Sequence, residues 1–430
     1  MKVNWDNQTI NDLGIIENRY EEKEIFSIFN ATHSYGGKKI LRKWITKPLN
    51  DLFILTKRIE ALKSSTFFHL SIRNEELDFI EYYLNYEDKP TVYSRFNSFF
   101  MLLFRSSHNK SSRYVIERGI KLVTELLEEL ELAGQKITSD SPLLFQDFAQ
   151  QIKNTLHFTE LKELVPFRKN AKLNYYTIDY YDYLFRYKCH ISLSNLLDIV
   201  YQIDAIHTIH QIAEKKGFSY PQFSSEKEFY LKDLYHPLID KPVKNDWGIN
   251  RSHICIFTGS NMAGKSTFLK AVGIAVWLAH CGLPVPASYM KCPIFDGIYT
   301  SINLPDSIKD GRSHFYSEVL RIKEILQKIR EGKRCFVILD EMFRGTNAQD
   351  AFDASCAVNK ILNNEDGSVF LISTHILEFA NHFVNSSTCS FYYMESEIKD
   401  NQLMCSYKLK SGISETRVGY WIVKNELEQI

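Results

Sequence analysis

The sequence predicts a multidomain protein, with an α-helical N-terminal half followed by a P-loop domain of the α/β class. Helical periodicity dominates before residue 220, and β-rich runs alternate with helical patterns after it. A glycine-rich loop between one such run and the following helix is the third observation. The 430 residues exceed what one ordinary core holds. We therefore expect a helical core or lever domain over residues 1–220 and the P-loop domain over residues 221–430.

In the N-terminal half, apolar residues recur at three- and four-residue spacing, which is typical of amphipathic helices. Pro48 interrupts this pattern, and Asp51 is placed to cap the helix that follows. The predicted helical segments are 24–30, 37–45, 52–62, 116–132 and 193–213.

In the C-terminal half, short β-rich runs are separated by helical patterns, which predicts a largely parallel sheet. The predicted strands are 229–231, 254–257, 294–300, 335–339, 369–372 and 389–394. The predicted helices are 265–280, 318–330 and 351–362.

Composition excludes several classes of protein. Lys plus Arg and Asp plus Glu both number 52, so any nucleic acid must be held by a local basic surface. The N-terminus lacks a secretory pattern, and the apolar run 271–283 is shorter than the roughly 20 residues of a membrane helix, which predicts a buried helix instead. The eight cysteines form no C-x-x-C pair, against a zinc site or a disulfide framework. We expect a cytoplasmic protein without a membrane partner.

The glycine-rich loop fits the pattern G-x-x-x-x-G-K-[ST], with a predicted strand before it and a helix after it, the context that the motif requires. Its residues are Gly259, Ser260, Asn261, Met262, Ala263, Gly264, Lys265 and Ser266, followed by Thr267. Glycines allow backbone N–H groups to converge on phosphate oxygens at a helix N-terminus. Lys265 would reach the β- and γ-phosphates, and the Ser266 hydroxyl would bind Mg²⁺. The loop therefore predicts ATP and Mg²⁺ as cofactors.

Two further predicted strands end in residues suited to this chemistry. The strand 335–339 ends at Asp340, suited to Mg²⁺, and Glu341, suited to orienting and deprotonating the attacking water. The strand 369–372 is followed at a short distance by His375, which could sense the γ-phosphate or position water. Parallel strands end at one edge of a sheet, so we expect these residues beside the loop. For His375 a structural or solvated side chain is the alternative.

Several segments together resemble the MutS family of DNA mismatch-repair proteins. In the family's ATPase domain, the similar segments are TGSNMAGKST (258–267), DGRSHFYSE (310–318), DEMFRGT (340–346) and STH (373–375). YHPL (235–238) with Asn245 and Asp246 resembles the start of that domain, and SGISETRVGYWIVK (411–424) its end. Residues 28–58 and 196–213 resemble parts of the family's helical core, whereas 63–190 match only loosely.

The resemblance implies a role for each matching residue. Lys265 and Ser266 would carry phosphate and Mg²⁺, Asp340 would support Mg²⁺, Glu341 would activate water and His375 would assist. Asn261 would lie beside the phosphates.

It also implies a homodimer with ATP at the interface. In the family two ATPase domains face each other, and the serine that matches Ser313 reaches the partner's nucleotide. ATP binding could then couple to movement of the helical arms.

The sequence departs from the family pattern in several places. From the resemblance we expect no counterpart of the family's mismatch-reading and connector domains or of its helix-turn-helix extension, and a DNA-gripping clamp that is short or absent. Phe343 stands where the family usually has glycine. Pro242 or Val243 replaces the aromatic residue that stacks on adenine, for which Trp247 or Tyr235 would substitute.

A DNA-binding segment is predicted only locally. Basic residues interleave with tyrosines over 168–188, a combination that neutralises phosphates and stacks on bases. A packed amphipathic helix with solvated basic residues is the alternative there and for the basic stretch 105–121. The predicted function is an ATP-dependent DNA-binding protein of the MutS type, acting in mismatch repair or a related response to DNA structure. The alternative is a nucleotide-switched scaffold that binds a protein partner and has little DNA affinity.

Overall fold

A computed structural model describes most of the chain. The described residues are 3–16, 24–32, 34–68, 70–86, 110–158, 160–161, 175–224, 228–249, 252–260, 263–302, 314–399 and 402–414. The chain divides into two compact units, one of residues 1–28, 44–56 and 212–430, the other of residues 29–43 and 57–211. The domain boundary at residue 220 stays a prediction.

Helices fill the described part of the chain up to residue 216, and all five predicted helical segments are helical. They are α1 (Asn7–Asp12), α2 (Ile25–Phe29), α3 (Tyr35–Ile45), α4 (Leu52–Lys63), α5 (Asn74–Leu84), α6 (Lys110–Gln135), α7 (Leu143–Phe158), α8 (Tyr175–Tyr183) and α9 (His190–Lys216). A π-helix, Leu184–Lys188, follows α8.

Helix α6 is central to the packing of the second unit. It contacts α5, α7 and α8. Its apolar stripe, which includes Ile120, Val123, Leu127 and Leu130, is buried. The spacing of three and four residues places these side chains on one face of the helix, which is why the face is buried.

The remaining elements are mixed α and β. The strands are β1 (Gln222–Ser224), β2 (Phe229–Leu234), β3 (Asn245–Ile249), β4 (Ile254–Thr258), β5 (Tyr289–Pro293), β6 (Gly297–Ser301), β7 (Cys335–Asp340), β8 (Val369–Ser373), β9 (Cys389–Lys399) and β10 (Gln402–Ser411). The helices are α10 (Lys265–His280), α11 (His314–Arg330), α12 (Ala348–Leu362) and α13 (Leu377–His382).

The strands form two mixed sheets. One sheet has the order β1-β5-β2-β3, and the other has the order β10-β9-β4-β8-β7-β6. In the second sheet β9, β4, β8, β7 and β6 are parallel, and only β10 is antiparallel. The register pairs Asp340 of β7 with Ser373 of β8, and Ser373 also with Phe257 of β4. The parallel prediction is therefore confirmed, and the loops after these three strands meet at one edge.

Helix α10 is buried along nearly its whole length. A carbon added to Gly273 would lie 2.7 Å from Leu13 Cδ2 and 2.9 Å from Ile338 Cδ1, so a larger residue there would displace these side chains. The Trp277 indole donates to the Ile45 carbonyl at 2.8 Å. The apolar run 271–283 is thus core, as predicted. Within the described part of the chain, no helix is long and apolar enough to cross a membrane.

Candidate active site

The glycine-rich loop connects β4 to α10 at the edge where the parallel strands end. Gly259 and Gly264 have φ angles of 124° and 96°. This left-handed region is open to glycine and costly for other residues, which explains both motif positions. Asn261 and Met262 lie outside the described residues.

Lys265 begins α10 and is only 2% exposed. Its Nζ donates to the carbonyl oxygens of Gly259 at 2.5 Å and Ser260 at 2.9 Å, and lies 3.6 Å from Glu341 Oε1. Burial lowers the pKa of Lys265, while the carboxylates of Glu341 and Asp340 oppose that shift. A lysine held inside its own loop is a preformed cation for a phosphate group.

The two carboxylates after β7 are held by Ser373 at the end of β8. The Ser373 hydroxyl donates to Asp340 Oδ1. The Glu341 N–H donates to Ser373 Oγ at 3.0 Å and to the Ser373 carbonyl at 3.1 Å. Both carboxylate residues are buried. Their position beside the loop is the one that the sequence predicts.

Three basic side chains surround the Glu341 carboxylate. Besides Lys265, Arg344 Nε lies 2.9 Å from Glu341 Oε2, and His375 Nδ1 lies 3.8 Å from the same oxygen. Arg344 Nη2 is also 3.8 Å from Asp340 Oδ2. The His375 side chain is 55% exposed, so it can move towards a ligand. Sequence reasoning assigned no role to Arg344, because an arginine four residues after a strand is not in itself a signal.

A strained turn carries Glu341 and Phe343, whose φ angles are 52° and 65°. The Phe343 N–H donates to Glu318 Oε2 at 2.6 Å, and Glu318 is buried. The Phe343 ring packs against Phe315 with centroids 5.3 Å apart. The turn therefore accommodates phenylalanine at the position where the family usually has glycine.

A polar cavity of about 310 Å³ lies in front of these groups. It is lined by Ser266, Thr267, Lys270, Ile302, Asp340, Glu341 and Arg344. A hydroxyl and two carboxylates are the oxygen ligands that Mg²⁺ prefers, and Mg²⁺ usually takes only one or two of them from the protein. The described residues contain no cluster of three or more His, Cys, Asp or Glu side chains able to hold a metal ion. The residues present fit Mg²⁺ bound together with a phosphate.

A second cavity, of about 530 Å³, lies against α10 and is largely apolar. Tyr235, Pro242 and Val243 line it, but Trp247 does not, because Trp247 is buried and packs edge-on against Phe229. Its lining residues are Leu234, Tyr235, His236, Ile239, Asp240, Lys241, Pro242, Val243, Asn245, Gly264, Thr267, Phe268, Ala271, Met394 and Tyr407.

Tyr407 is a lining residue that sequence reasoning missed. It lies on β10 with φ 55°, and a carbon added to Gly264 would lie 3.0 Å from its Cδ1. The pairing of β9 with β10 shifts register between Cys405 and Leu409, which surrounds Tyr407. Such a bulge leaves no signal in the sequence, so this tyrosine could not be placed in advance.

Some of the sequence-predicted residues cannot be related to this site. Ser313 lies outside the described residues, as does the segment 168–174. In the remainder of the tyrosine-rich segment, Tyr181 is buried, and Arg186 forms a buried ion pair with Asp182 at 2.6 Å. Tyr187 is 67% exposed. Some of these residues are therefore packed in the interior, and others lie on the surface.

The fold, the glycine loop with its buried lysine and the strand-end carboxylates define a P-loop domain. Residues 255–427 match the family "MutS domain V". The C-terminal part of the chain is therefore similar to this domain of MutS-family proteins.

Curated relatives agree with this assignment. The DNA mismatch repair protein MutS of Aquifex pyrophilus is 31% identical over 238 residues, which are 54% of this chain and 28% of that protein. The protein of the same name from Persephonella marina is 33% identical over 227 residues, 52% of this chain and 26% of that protein. The matched part therefore spans little more than a quarter of each relative.

Proposed function

We propose that this protein binds ATP and hydrolyses it with Mg²⁺. The observation that carries the proposal is the convergence of Ser266, Asp340 and Glu341 on one polar cavity, with Lys265 Nζ 3.6 Å from Glu341 Oε1. The match of residues 255–427 to MutS domain V supports it, because MutS-family proteins are ATPases.

Each side chain has a role that follows from its position. The loop N–H groups and Lys265 bind the β- and γ-phosphates, while Ser266 and Asp340 hold Mg²⁺, which neutralises charge on the phosphates. Glu341 accepts a proton from the attacking water, and its buried carboxylate is directed by its neighbours. His375 and Arg344 lie close enough to Glu341 to contact the transferred phosphoryl group.

The cavity on the other side of the α10 N-terminus suits a nucleobase. Thr267 lines both cavities, so a nucleotide with its phosphates at the loop would extend from one into the other. Tyr235 and Tyr407 offer aromatic faces to a purine ring there.

We further propose that nucleotide turnover is coupled to DNA, in mismatch repair or a related response to DNA structure, and that the protein acts as a homodimer. The names of the relatives and the family of domain V support this. The finer division into a MutS core-like helical domain and the ATPase domain belongs to the same proposal. A nucleotide-switched scaffold for a protein partner is the alternative, since the net charge is zero and the tyrosine-rich segment is partly buried.

The ATPase proposal is tested by ATP turnover of the protein and its Glu341→Gln variant. Glutamine keeps the size of the side chain but cannot accept the proton, so we expect ATP binding to persist and turnover to fall at least ~100-fold. Glu331→Gln is the matched control, because the Glu331 side chain, just after the end of α11, is 52% exposed and pairs only with Lys328 in the contacts described. Normal turnover of Glu341→Gln would refute the assignment of the base.

Coupling to DNA is tested in the same assay with single-stranded, paired, mismatched and branched DNA. We expect at least one DNA to stimulate turnover in the wild-type protein and not in Glu341→Gln. Affinity for that DNA should fall steeply as salt rises, because phosphate contacts release counterions. Turnover that is indifferent to every DNA would leave the ATPase proposal intact and favour the scaffold.

A further inference from the structure

Residues 3–16, the N-terminal segment, pack along the edge of the six-stranded sheet. Asn4 pairs with Gly297 as a parallel neighbour of β6. The Asn4 N–H donates to the Asp296 carbonyl at 2.7 Å, and its carbonyl accepts from the Ile298 N–H at 3.0 Å. Helix α1 follows directly and contacts β6. The N-terminal segment, residues 3–16, is therefore part of the unit that contains the candidate active site.

Asp12, the last residue of α1, holds the end of β6. It is 2% exposed, and its Oδ2 accepts from Thr300 Oγ1 at 2.7 Å and from the Ile302 N–H at 2.9 Å. Gln8 donates to the other oxygen at 2.8 Å. Hydrogen bonds to a carboxylate are shorter and stronger than those between neutral groups. Since Ile302 lines the 310 Å³ cavity, Asp12 fixes one wall of that cavity.

Asp6, at the start of α1, holds helix α11. It forms an ion pair with Arg321, whose Nη2 also donates to the Thr300 carbonyl at 3.0 Å. Glu318 lies one turn earlier on the same helix and accepts from the Phe343 N–H in the turn after β7. The contact chain thus runs from α1 through α11 to the turn that carries Glu341.

The same segment packs on the helix that begins at the phosphate loop. Leu13 fills the space beside Gly273, and Trp5 lies edge-on to Trp277 with centroids 5.8 Å apart. These contacts hold the N-terminal segment against α10, whereas its carboxylates reach β6 and α11. The N-terminal segment therefore contacts β6, α10 and α11, and α10 lines the cavity directly.

We propose that Asp12 is a positioning residue for the Mg²⁺ and phosphate site, and that the N-terminal segment fixes the geometry of that site. The inference rests on the proposed ATPase function. Asp12 does not touch the reacting atoms; it acts through Ile302 and β6. Displacement of a catalytic geometry by 1 Å can cost about 100-fold in rate.

The test is an Asp12→Ala variant of the full chain, assayed for ATP turnover well below its melting temperature. We expect kcat to fall about tenfold or more while KM for ATP changes less than twofold, because the nucleobase cavity does not include Ile302. We also expect Asp12→Asn to restore most of the rate, since its side-chain oxygen can accept both Thr300 Oγ1 and the Ile302 N–H. Gln8 can then accept from the new amide.

Two controls separate positioning from loss of stability. Ile10→Ala removes a buried α1 side chain that makes no hydrogen bond to β6, so it should lower the melting temperature and leave kcat unchanged. Glu324→Gln removes the more exposed carboxylate near Arg321, at 3.9 Å, and should change neither quantity. Equal kcat losses in Asp12→Ala and Ile10→Ala, or an unchanged kcat in Asp12→Ala, would overturn the proposal.

Hydrogen exchange gives a readout that does not depend on activity. The Ile302 amide should exchange at least tenfold faster in Asp12→Ala than in wild type, and at the wild-type rate in Ile10→Ala. An unchanged Ile302 exchange rate in Asp12→Ala would show that the carboxylate does not hold β6. Absence of ATP turnover in the wild-type protein would instead refute the proposed function, so the two failures are distinguishable.

Discussion

Ser373 links the two carboxylates at the end of β7. Its hydroxyl donates to Asp340 and accepts from the Glu341 N–H, so Ser373→Ala removes both contacts at once. Groups that orient a metal ligand typically change metal affinity 10- to 100-fold when they are removed. We expect the Mg²⁺ concentration for half-maximal turnover to rise about tenfold, measured by Mg²⁺ titration of ATP turnover.

A second serine provides a matched control for that prediction. Ser368 is also buried and accepts from the Cys335 N–H at 3.0 Å, but at the opposite end of β7. Ser368→Ala should therefore lower stability without changing the Mg²⁺ dependence. If both variants shift the Mg²⁺ titration equally, Ser373 has no specific role in holding Asp340.

Because the His280 side chain is buried, we expect the stability of the protein to depend on pH. Its Nδ1–H donates to the Val276 carbonyl and its Nε2 accepts from the Phe295 N–H, both at 2.9 Å. Burial lowers the pKa of His280 to about 4, below the value of about 6.5 in an unfolded chain. The unfolded chain therefore binds the proton first as pH falls, so this stabilisation is complete above pH 6.5 and is lost progressively towards pH 4.

We expect protonation linked to His280 to lower the unfolding free energy by about 2 kcal/mol when the pH is lowered from 7 to 5. Urea unfolding of wild type and His280→Gln at both pH values measures it, and the variant should show the smaller decrease. His382→Gln is the control, because His382 is exposed on α13. A decrease of the same size in His280→Gln and wild type would assign the effect to other groups.

Single residues divide clearly into those that the sequence could place and those that it could not. Lys265 and Ser266 follow from a motif whose spacing is set by the geometry of the loop. Arg344 and Tyr407 reach the site only through a turn and a bulge, which depend on tertiary contacts. Trp247, an alternative for base stacking, belongs to the core because its strand buries that face.

At the scale of elements, the turn after β7 combines backbone strain, which is destabilising, with side-chain packing, which is stabilising. Phe343 has a positive φ, which costs about 1–2 kcal/mol for a residue other than glycine. Its side chain, however, is only 2% exposed. Removing a buried phenylalanine side chain costs about 3–5 kcal/mol. Packing therefore outweighs strain, and we expect Phe343→Gly to lower the unfolding free energy by about 2 kcal/mol.

Urea unfolding measures this change, and Phe343→Leu is the comparison, because leucine keeps the strained backbone and much of the apolar side chain. We expect Phe343→Leu to be more stable than Phe343→Gly. A glycine variant as stable as wild type would mean that strain at this turn dominates.

Most elements could be predicted from periodicity, because long amphipathic helices and apolar strands bury one face or both. The predicted strand 294–300 starts too early, since β6 runs from Gly297 to Ser301, and β5, which ends at Pro293, was not predicted. Strand β10 was not predicted, because it is an edge strand with exposed Met404 and Tyr407 and lacks a clean apolar alternation. Edge strands depend on pairing with a distant partner more than on their own composition.

At the scale of the whole molecule, contacts between residues far apart in the chain could not be predicted from the sequence. Nothing in the pattern of residues 3–16 indicates that Asp12 meets Thr300 and Ile302, nearly 290 positions later. Hydrogen bonds at such separation leave no periodicity, so only the folded structure reveals them. The parallel sheet, in contrast, brings the ends of β4, β7 and β8 together by topology alone, which is why the main carboxylates could be placed beside the loop.

The proposed homodimer can be tested by mixing two variants that are each inactive, because only a dimer that shares residues between its subunits can regain activity. If Ser313 acts on the partner's nucleotide, the Lys265→Ala and Ser313→Ala variants should each be inactive, yet a random mixture should recover activity. Half of all dimers then contain one subunit of each variant, and one of the two sites in such a dimer has an intact lysine and an intact serine. Turnover should therefore reach about a quarter of wild type. ATP turnover of the co-expressed subunits measures this, with each variant alone as the control. No recovery, despite mixed dimers detected by differential tagging, would place Ser313 in the same subunit as the site that it serves.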